Sequence, residues 1–71
     1  MKTMSVGTQN NLQYGLMVAT IAQVESLTGA IFEELYTDDN FGKMFREGLT
    51  TNEDDTILAE RLAKYANENL I

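Results

Sequence analysis

Apolar residues recur at helical spacing over residues 12–36, and this pattern constrains the fold more than any other feature of the chain. From Leu12 to Tyr36 they follow one another mostly every three or four residues, as on one face of an α-helix. Gly15 and Gly29 each weaken a helix by about 1 kcal/mol relative to Ala, but the stripe stays in phase across both. The spacing predicts one long helix, with a break at residues 28–29 as the alternative.

The rest of the chain divides into an arm and two further helical segments. Residues 1–9 are polar around Gly7 and indicate a flexible N-terminal arm, followed by a single helical domain at residues 10–71. Helices are predicted at about residues 11–36, 38–47 and 51–69, since the chain lacks Pro and is rich in good helix formers. We predict an all-α fold, a small bundle of two to three helices whose long first helix is completed by self-association or by a partner.

Polar residues and glycine mark the predicted helix ends. Thr37 or Asp38 can cap the second helix, and Gly48 is placed to end it. The third helix is preceded by two overlapping capping-box patterns, in which a Thr is followed by an acid three residues later. The two pairs are Thr50 with Glu53 and Thr51 with Asp54.

The chain has 71 residues and contains neither Cys nor His. Disulfides, thiolate zinc sites, Cys nucleophiles and imidazole-based catalysis are therefore excluded. The segment Asp38–Gly42 superficially resembles a calcium loop, but Gly falls at the fifth position and Leu49 stands at the twelfth, where a Glu is needed. We expect no enzymatic activity, no catalytic residue, no metal and no cofactor. Association is the remaining way to stabilise so small a core.

Acidic residues outnumber basic ones by eleven to five, which gives a formal net charge of −6. Nucleic acids and anionic membranes attract cationic proteins, so direct binding to either is not expected. No apolar run approaches the roughly 18 residues that a membrane span needs. The start of the chain also lacks the apolar core of a signal peptide, so we expect a soluble, cytoplasmic protein.

The first predicted helix carries more apolar surface than an ordinary surface helix. No charge occurs from Thr3 to Val24, and the apolar arc spans roughly 200°, against about 100° for a typical amphipathic helix. Small residues along the remaining face would let another helix approach closely. Two short helices of the same chain can cover part of the arc, but a protein partner or a second copy in a homodimer would cover it better. The predicted interface comprises Tyr14, Gly15, Val18, Ala19, Ala22, Ser26 and Ala30.

Four acids lie close together in the sequence, namely Glu33, Glu34, Asp38 and Asp39. Such an acidic patch can meet a basic surface or imitate a nucleic-acid backbone. Helix capping and solubility explain the same residues without any binding function. The paired carboxylates are not expected to act as an acid–base pair, because adjacent residues on a helix do not face each other.

The segment Asn11–Leu16 resembles the start of a small early protein of T7-like bacteriophages, over six residues that contain no chemical motif. A short, acidic chain without Cys also resembles many phage-encoded inhibitors of host enzymes. We therefore expect a protein-binding module that occludes or regulates a larger protein, such as a phage or mobile-element inhibitor of a host enzyme or defence complex. The alternatives are an acidic nucleic-acid mimic and a small structural subunit of a larger assembly.

Overall fold

Four helices make up the described part of the chain. This computed structural model describes the backbone of residues 2–71 and the side chains of residues 14–71. The helices are α1 (Lys2–Thr28), α2 (Phe32–Leu35), α3 (Asp39–Thr50) and α4 (Asp55–Asn69). The described residues contain no strand, which confirms the predicted small all-α bundle. None of these helices is both long enough and apolar enough to cross a membrane.

The hydrophobic core lies mainly between α1 and α4, with α3 packed against both. Val24 of α1 and Leu58 and Leu62 of α4 have no exposed surface, and Phe41 of α3 is equally buried beside them. Full burial of side chains of this size contributes about 1.5–3 kcal/mol each. Thr20 is the buried polar residue of this region, and its hydroxyl donates a 2.7 Å hydrogen bond to the carbonyl of Leu16.

Helix α4 runs along α1 in the same direction and covers only part of it. The start of α4 is held beside the C-terminal third of α1, where the Gln23 side-chain amide donates a 2.6 Å hydrogen bond to the Asp55 carboxylate. The residues after α4 line a cleft together with Gly29 and Ala30, just past the end of α1. At about 1.5 Å per residue, α1 is roughly 40 Å long and α4 roughly 22 Å. Helix α4 is therefore too short to run along the whole of α1.

The bounds of α1 differ from the predicted ones at both ends. The helix begins at Lys2, inside the segment 1–9 for which the sequence predicts an arm, because that segment has no Pro and one Gly. Met1 lies outside the described residues. At the other end, the alternative prediction of a break at residues 28–29 is confirmed. Gly29 has a φ of +73°, which ends the helix. The chain then forms α2, whose first amide, that of Phe32, donates a 2.7 Å bond to the Glu25 carboxylate.

Helix α3 runs past Gly48 and ends at Thr50, so the prediction that Gly48 ends it is wrong. The residue that ends it is Asn52, which has a φ of +58°. Its amide bonds to the carbonyl of Leu49, and the Glu53 amide bonds to the carbonyl of Gly48, which together form a Schellman motif. Gly48 is buried instead, and an added Cβ would clash with the methyl carbons of Leu58.

Aspartates cap both of the later helices. The Asp38 carboxylate accepts a 2.9 Å bond from the Phe41 amide, so Asp38 is the cap of α3, one of the two residues predicted for that role. Helix α4 starts later than predicted, at Asp55, because Asp54 is its N-cap and accepts from the amides of Thr56 and Ile57. The capping-box pairs predicted for residues 50–54 are therefore not used.

Candidate protein-interaction surface

The face of α1 opposite the core is exposed along the described part of the helix. Thr20 and Val24 point into the core, whereas Tyr14 is 63% exposed and Val18 is 46% exposed. Ala22 lies on the same outer face and is also exposed. These three positions belong to the interface predicted from the sequence. No described residue of this chain covers them, and they present apolar surface to solvent.

The other predicted interface residues have different surroundings. Gly15 and Ser26 are exposed, and Ser26 borders a shallow cleft between α1 and α4, while Ala19 is half-buried. Ala30 lies beyond the end of α1 and packs against the core, because the turn at Gly29 removes it from the helix. Ala30 therefore does not lie on the same helix face as Ser26, although the predicted interface includes both residues.

An apolar groove of about 390 Å³ runs beside this face, between α1 and the segment that holds α2 and α3. Met17 and Ile21 of α1 form one wall, and Tyr36 and Glu33 form the other. Aromatic and Met side chains are enriched in protein interfaces because they offer large contact areas or adapt to the shape of a partner. The residues lining this apolar groove are Met17, Ile21, Phe32, Glu33, Tyr36 and Phe45.

Packed aromatic rings hold the groove in shape. Phe32 and Phe45 meet edge to face with ring centroids 4.8 Å apart, and Tyr36 stacks on Phe32 at 5.9 Å. Phe32 and Phe45 are only 7% and 5% exposed, whereas Tyr36 is 39% exposed. Arg46 lies over the Tyr36 ring and donates a 3.1 Å hydrogen bond to its hydroxyl. The groove therefore has an aromatic floor and a partly exposed aromatic wall beside the Arg46 guanidinium.

Four residues of α1 form an apolar ridge next to the groove. Tyr14, Met17, Val18 and Ile21 are spaced i, i+3, i+4 and i+7, so they lie on one side of the helix. Met17 and Ile21 pack partly against the core and form the groove wall, while Tyr14 and Val18 extend the apolar surface outward. The α1 ridge, defined by these four residues, and the groove are thus one continuous apolar surface.

The structure divides the predicted acidic patch between two places. Glu33 borders the apolar groove, whereas Glu34 and Asp38 line the cleft at the end of α1. Asp39 is exposed in the first turn of α3. Glu33 and Glu34 are adjacent on a one-turn helix and therefore point in different directions. Within the described residues, no three acids come close enough to hold a metal ion.

Asp38 has a structural role besides its charge. One of its carboxylate oxygens accepts bonds from both the Phe41 amide and the Tyr65 hydroxyl, each 2.9 Å long. The hydrogen bond to Asp38 raises the pKa of Tyr65 above its ordinary value, because the carboxylate favours the protonated hydroxyl. Asp38 thus ties the start of α3 to α4 and is less available to a partner than the exposed acids.

Sequence reasoning identifies the α1 ridge as a helical stripe but does not find the groove. The groove exists only because the chain turns at Gly29 and returns α2 and α3 to the side of α1. Tyr36 and Arg46, ten residues apart, carry no local signal of their contact.

Comparison of the chain with known protein families, with curated proteins and with solved structures finds no match.

Proposed function

We propose that this chain is a non-enzymatic protein-binding module that occludes or regulates a larger protein. The observation that carries the proposal is the exposed apolar face of α1, which adjoins the apolar groove. Contiguous exposed apolar patches of more than a few hundred Å² commonly mark interaction sites on soluble proteins. The same face can bind a second copy of the chain. An inhibitor of an enzyme or defence complex, encoded by a phage or mobile element, would fit this size and composition.

The exposed side chains are large enough to contribute to binding. An aromatic side chain presents roughly 200 Å², so the 63% of Tyr14 that is exposed amounts to roughly 130 Å². At about 25 cal/mol per Å², covering it contributes roughly 3 kcal/mol before the entropy lost on association is counted. Val18 of the ridge and Tyr36 of the groove wall add further exposed surface that a partner could cover. A few such residues commonly supply most of the energy of an interface.

Light scattering and affinity capture from the native host test this proposal. Val18→Glu and Ala22→Glu each put a charge on the outer face of α1, where both positions are exposed and the fold should tolerate the change. We expect the wild type to self-associate or to retain a partner that both variants lose. A stably folded wild type that stays monomeric and captures no partner would contradict the proposal.

Nucleic-acid mimicry is the second candidate, and the exposed carboxylates favour it. Glu33, Glu34 and Asp39 are exposed, and among the described side chains none of them forms an ion pair. The test combines Glu33→Gln, Glu34→Gln and Asp39→Asn and leaves Asp38 intact, because that residue caps α3. Mimicry predicts that this triple variant loses a basic partner and that wild-type binding weakens steeply with salt. Normal binding by the triple variant would exclude it.

A further inference from the structure

We infer that the occupant of the apolar groove is the α1 ridge of a second copy of this chain, in a two-fold symmetric dimer. This inference rests on the self-association included in the proposed function and assigns it a place and a geometry. In such a dimer the same surface of each copy contacts the other, so every contact occurs twice. The surface must therefore contain both a projecting part and a part that receives it.

Tyr14 and Val18 are the projecting part of the ridge, and the groove that Met17 and Ile21 line beside them is the receiving part. Tyr14, Met17, Val18 and Ile21 have the spacing of a helix that inserts into a groove. A two-fold axis between the α1 helices would place the ridge of each copy against the groove of the other. The exposed parts of Tyr14 and Val18 would then be covered together with the exposed part of Tyr36.

Charge at the rim of the groove also favours a second copy over a strongly basic or acidic partner. Two charged side chains of opposite sign lie there, Glu33, which lines the groove, and Arg46, which lies over Tyr36. Neither forms an ion pair among the described side chains. The third charge nearby, Glu25, already accepts the amide of Phe32. One acid and one base on a self-complementary surface can form two equivalent pairs, Glu33 of each copy with Arg46 of the other.

The size of the surface sets the strength of the dimer. Among the described side chains, ridge, groove and Arg46 comprise fewer residues than the 20–30 per side of a standard stable interface. A small interface of this kind is transient, so we expect dissociation in the micromolar range or weaker. Sedimentation must therefore cover concentrations from roughly 1 µM to roughly 1 mM.

Charge reversal tests the paired rim. Glu33→Arg places like charges opposite each other at both rim contacts, and so does Arg46→Glu, so each variant should dimerise on the order of tenfold more weakly or worse. An equimolar mixture of the two variants should regain wild-type association, because opposite charges then meet at both contacts. Glu60→Arg and Lys64→Glu, at exposed positions of α4 outside the groove, are the matched controls and should dimerise normally.

The outcomes separate this inference from the proposed function. If Val18→Glu abolishes the dimer while Glu33→Arg and Arg46→Glu behave like the controls, association through α1 stands and the groove geometry is wrong. A mixture that fails to regain association also overturns the geometry. A wild type that stays monomeric up to roughly 1 mM overturns the second-copy occupant and leaves the groove to a foreign helix. Circular dichroism of each variant confirms that loss of dimer is not loss of fold.

Discussion

Replacing Gly48 with Ala tests the close approach of α3 and α4. A Cβ built at Gly48 clashes with both methyl carbons of Leu58, one of which lies 2.6 Å away, and it lies 3.0 Å from the Leu58 Cγ. Leu58 has no exposed surface, so its side chain cannot move away without displacing other core residues. Overpacking of this kind costs typically 1–3 kcal/mol, and the better helix propensity of Ala returns at most about 1 kcal/mol. We expect a net loss of about 1–2 kcal/mol in the free energy of unfolding.

Two other glycines provide controls for the same substitution. A Cβ at Gly15 meets nothing within 4 Å, so Gly15→Ala should stabilise the protein by about 0.5–1 kcal/mol. A Cβ at Gly42 lies 3.0 Å from the Arg46 guanidinium, an exposed and flexible group that can swing away. That movement breaks the contact of Arg46 with Tyr36 and offsets part of the helix propensity gained with Ala, so Gly42→Ala should change stability by less than about 0.5 kcal/mol.

Thermal unfolding followed by circular dichroism separates these three outcomes. For a domain of this size, 1 kcal/mol shifts Tm by about 4–8 °C. Gly48→Ala should thus lower Tm by about 4–15 °C while Gly15→Ala raises it. The samples should be dilute, so that association does not alter Tm. If Gly48→Ala is as stabilising as Gly15→Ala, the two helices approach less closely than the distances to Leu58 require, and the reasoning fails.

Three further substitutions test the turn, a helix cap and a tertiary hydrogen bond. Gly29→Ala should cost about 1–2 kcal/mol in denaturant unfolding, because φ is +73° there and an added Cβ meets nothing within 4 Å to compensate. Asp54→Ala removes the N-cap of α4 and should cost about 1 kcal/mol, whereas Asp54→Asn, which keeps the acceptor, should cost less. Tyr65→Phe should lower Tm at neutral pH, because it removes the hydrogen bond to Asp38. That bond raises the pKa of Tyr65, so its stabilising effect is present below the unfolded-state pKa near 10 and is lost as the pH rises through the higher folded-state pKa. The difference in Tm between the wild type and Tyr65→Phe should therefore shrink at strongly alkaline pH.

The fold class could be predicted because it depends on local periodicity and propensity. The stripe on α1 and the cap at Asp38 both follow from residues within a few positions of each other. The roles of Gly48 and Asn52 could not be assigned, because glycine at a helix end and glycine at a close helix contact look the same in sequence. Only the approach of Leu58 shows that Gly48 is needed for packing. Residues 50–55 also offer several possible caps, and the Schellman turn decides in favour of Asp54.

The candidate interaction surface was predictable in part for the same reason. The outer face of α1 is a property of one helix, so the exposure of Val18 and Ala22 follows from the pattern around it. The groove depends on how α2 and α3 pack beside α1, which no local pattern specifies. The contact between Tyr36 and Arg46, and the separation of Glu33 from Glu34, arise from that packing.

The mass of the protein in solution tests most directly whether a second copy binds at the α1 ridge. Light scattering should measure this mass across a range of concentrations for the wild type and for Val18→Glu. The wild-type mass should rise from 8.0 kDa toward twice that value with increasing concentration, while Val18→Glu stays at 8.0 kDa. If both proteins stay at 8.0 kDa throughout, or if both masses rise equally, the exposed ridge is not a surface through which this chain associates with itself.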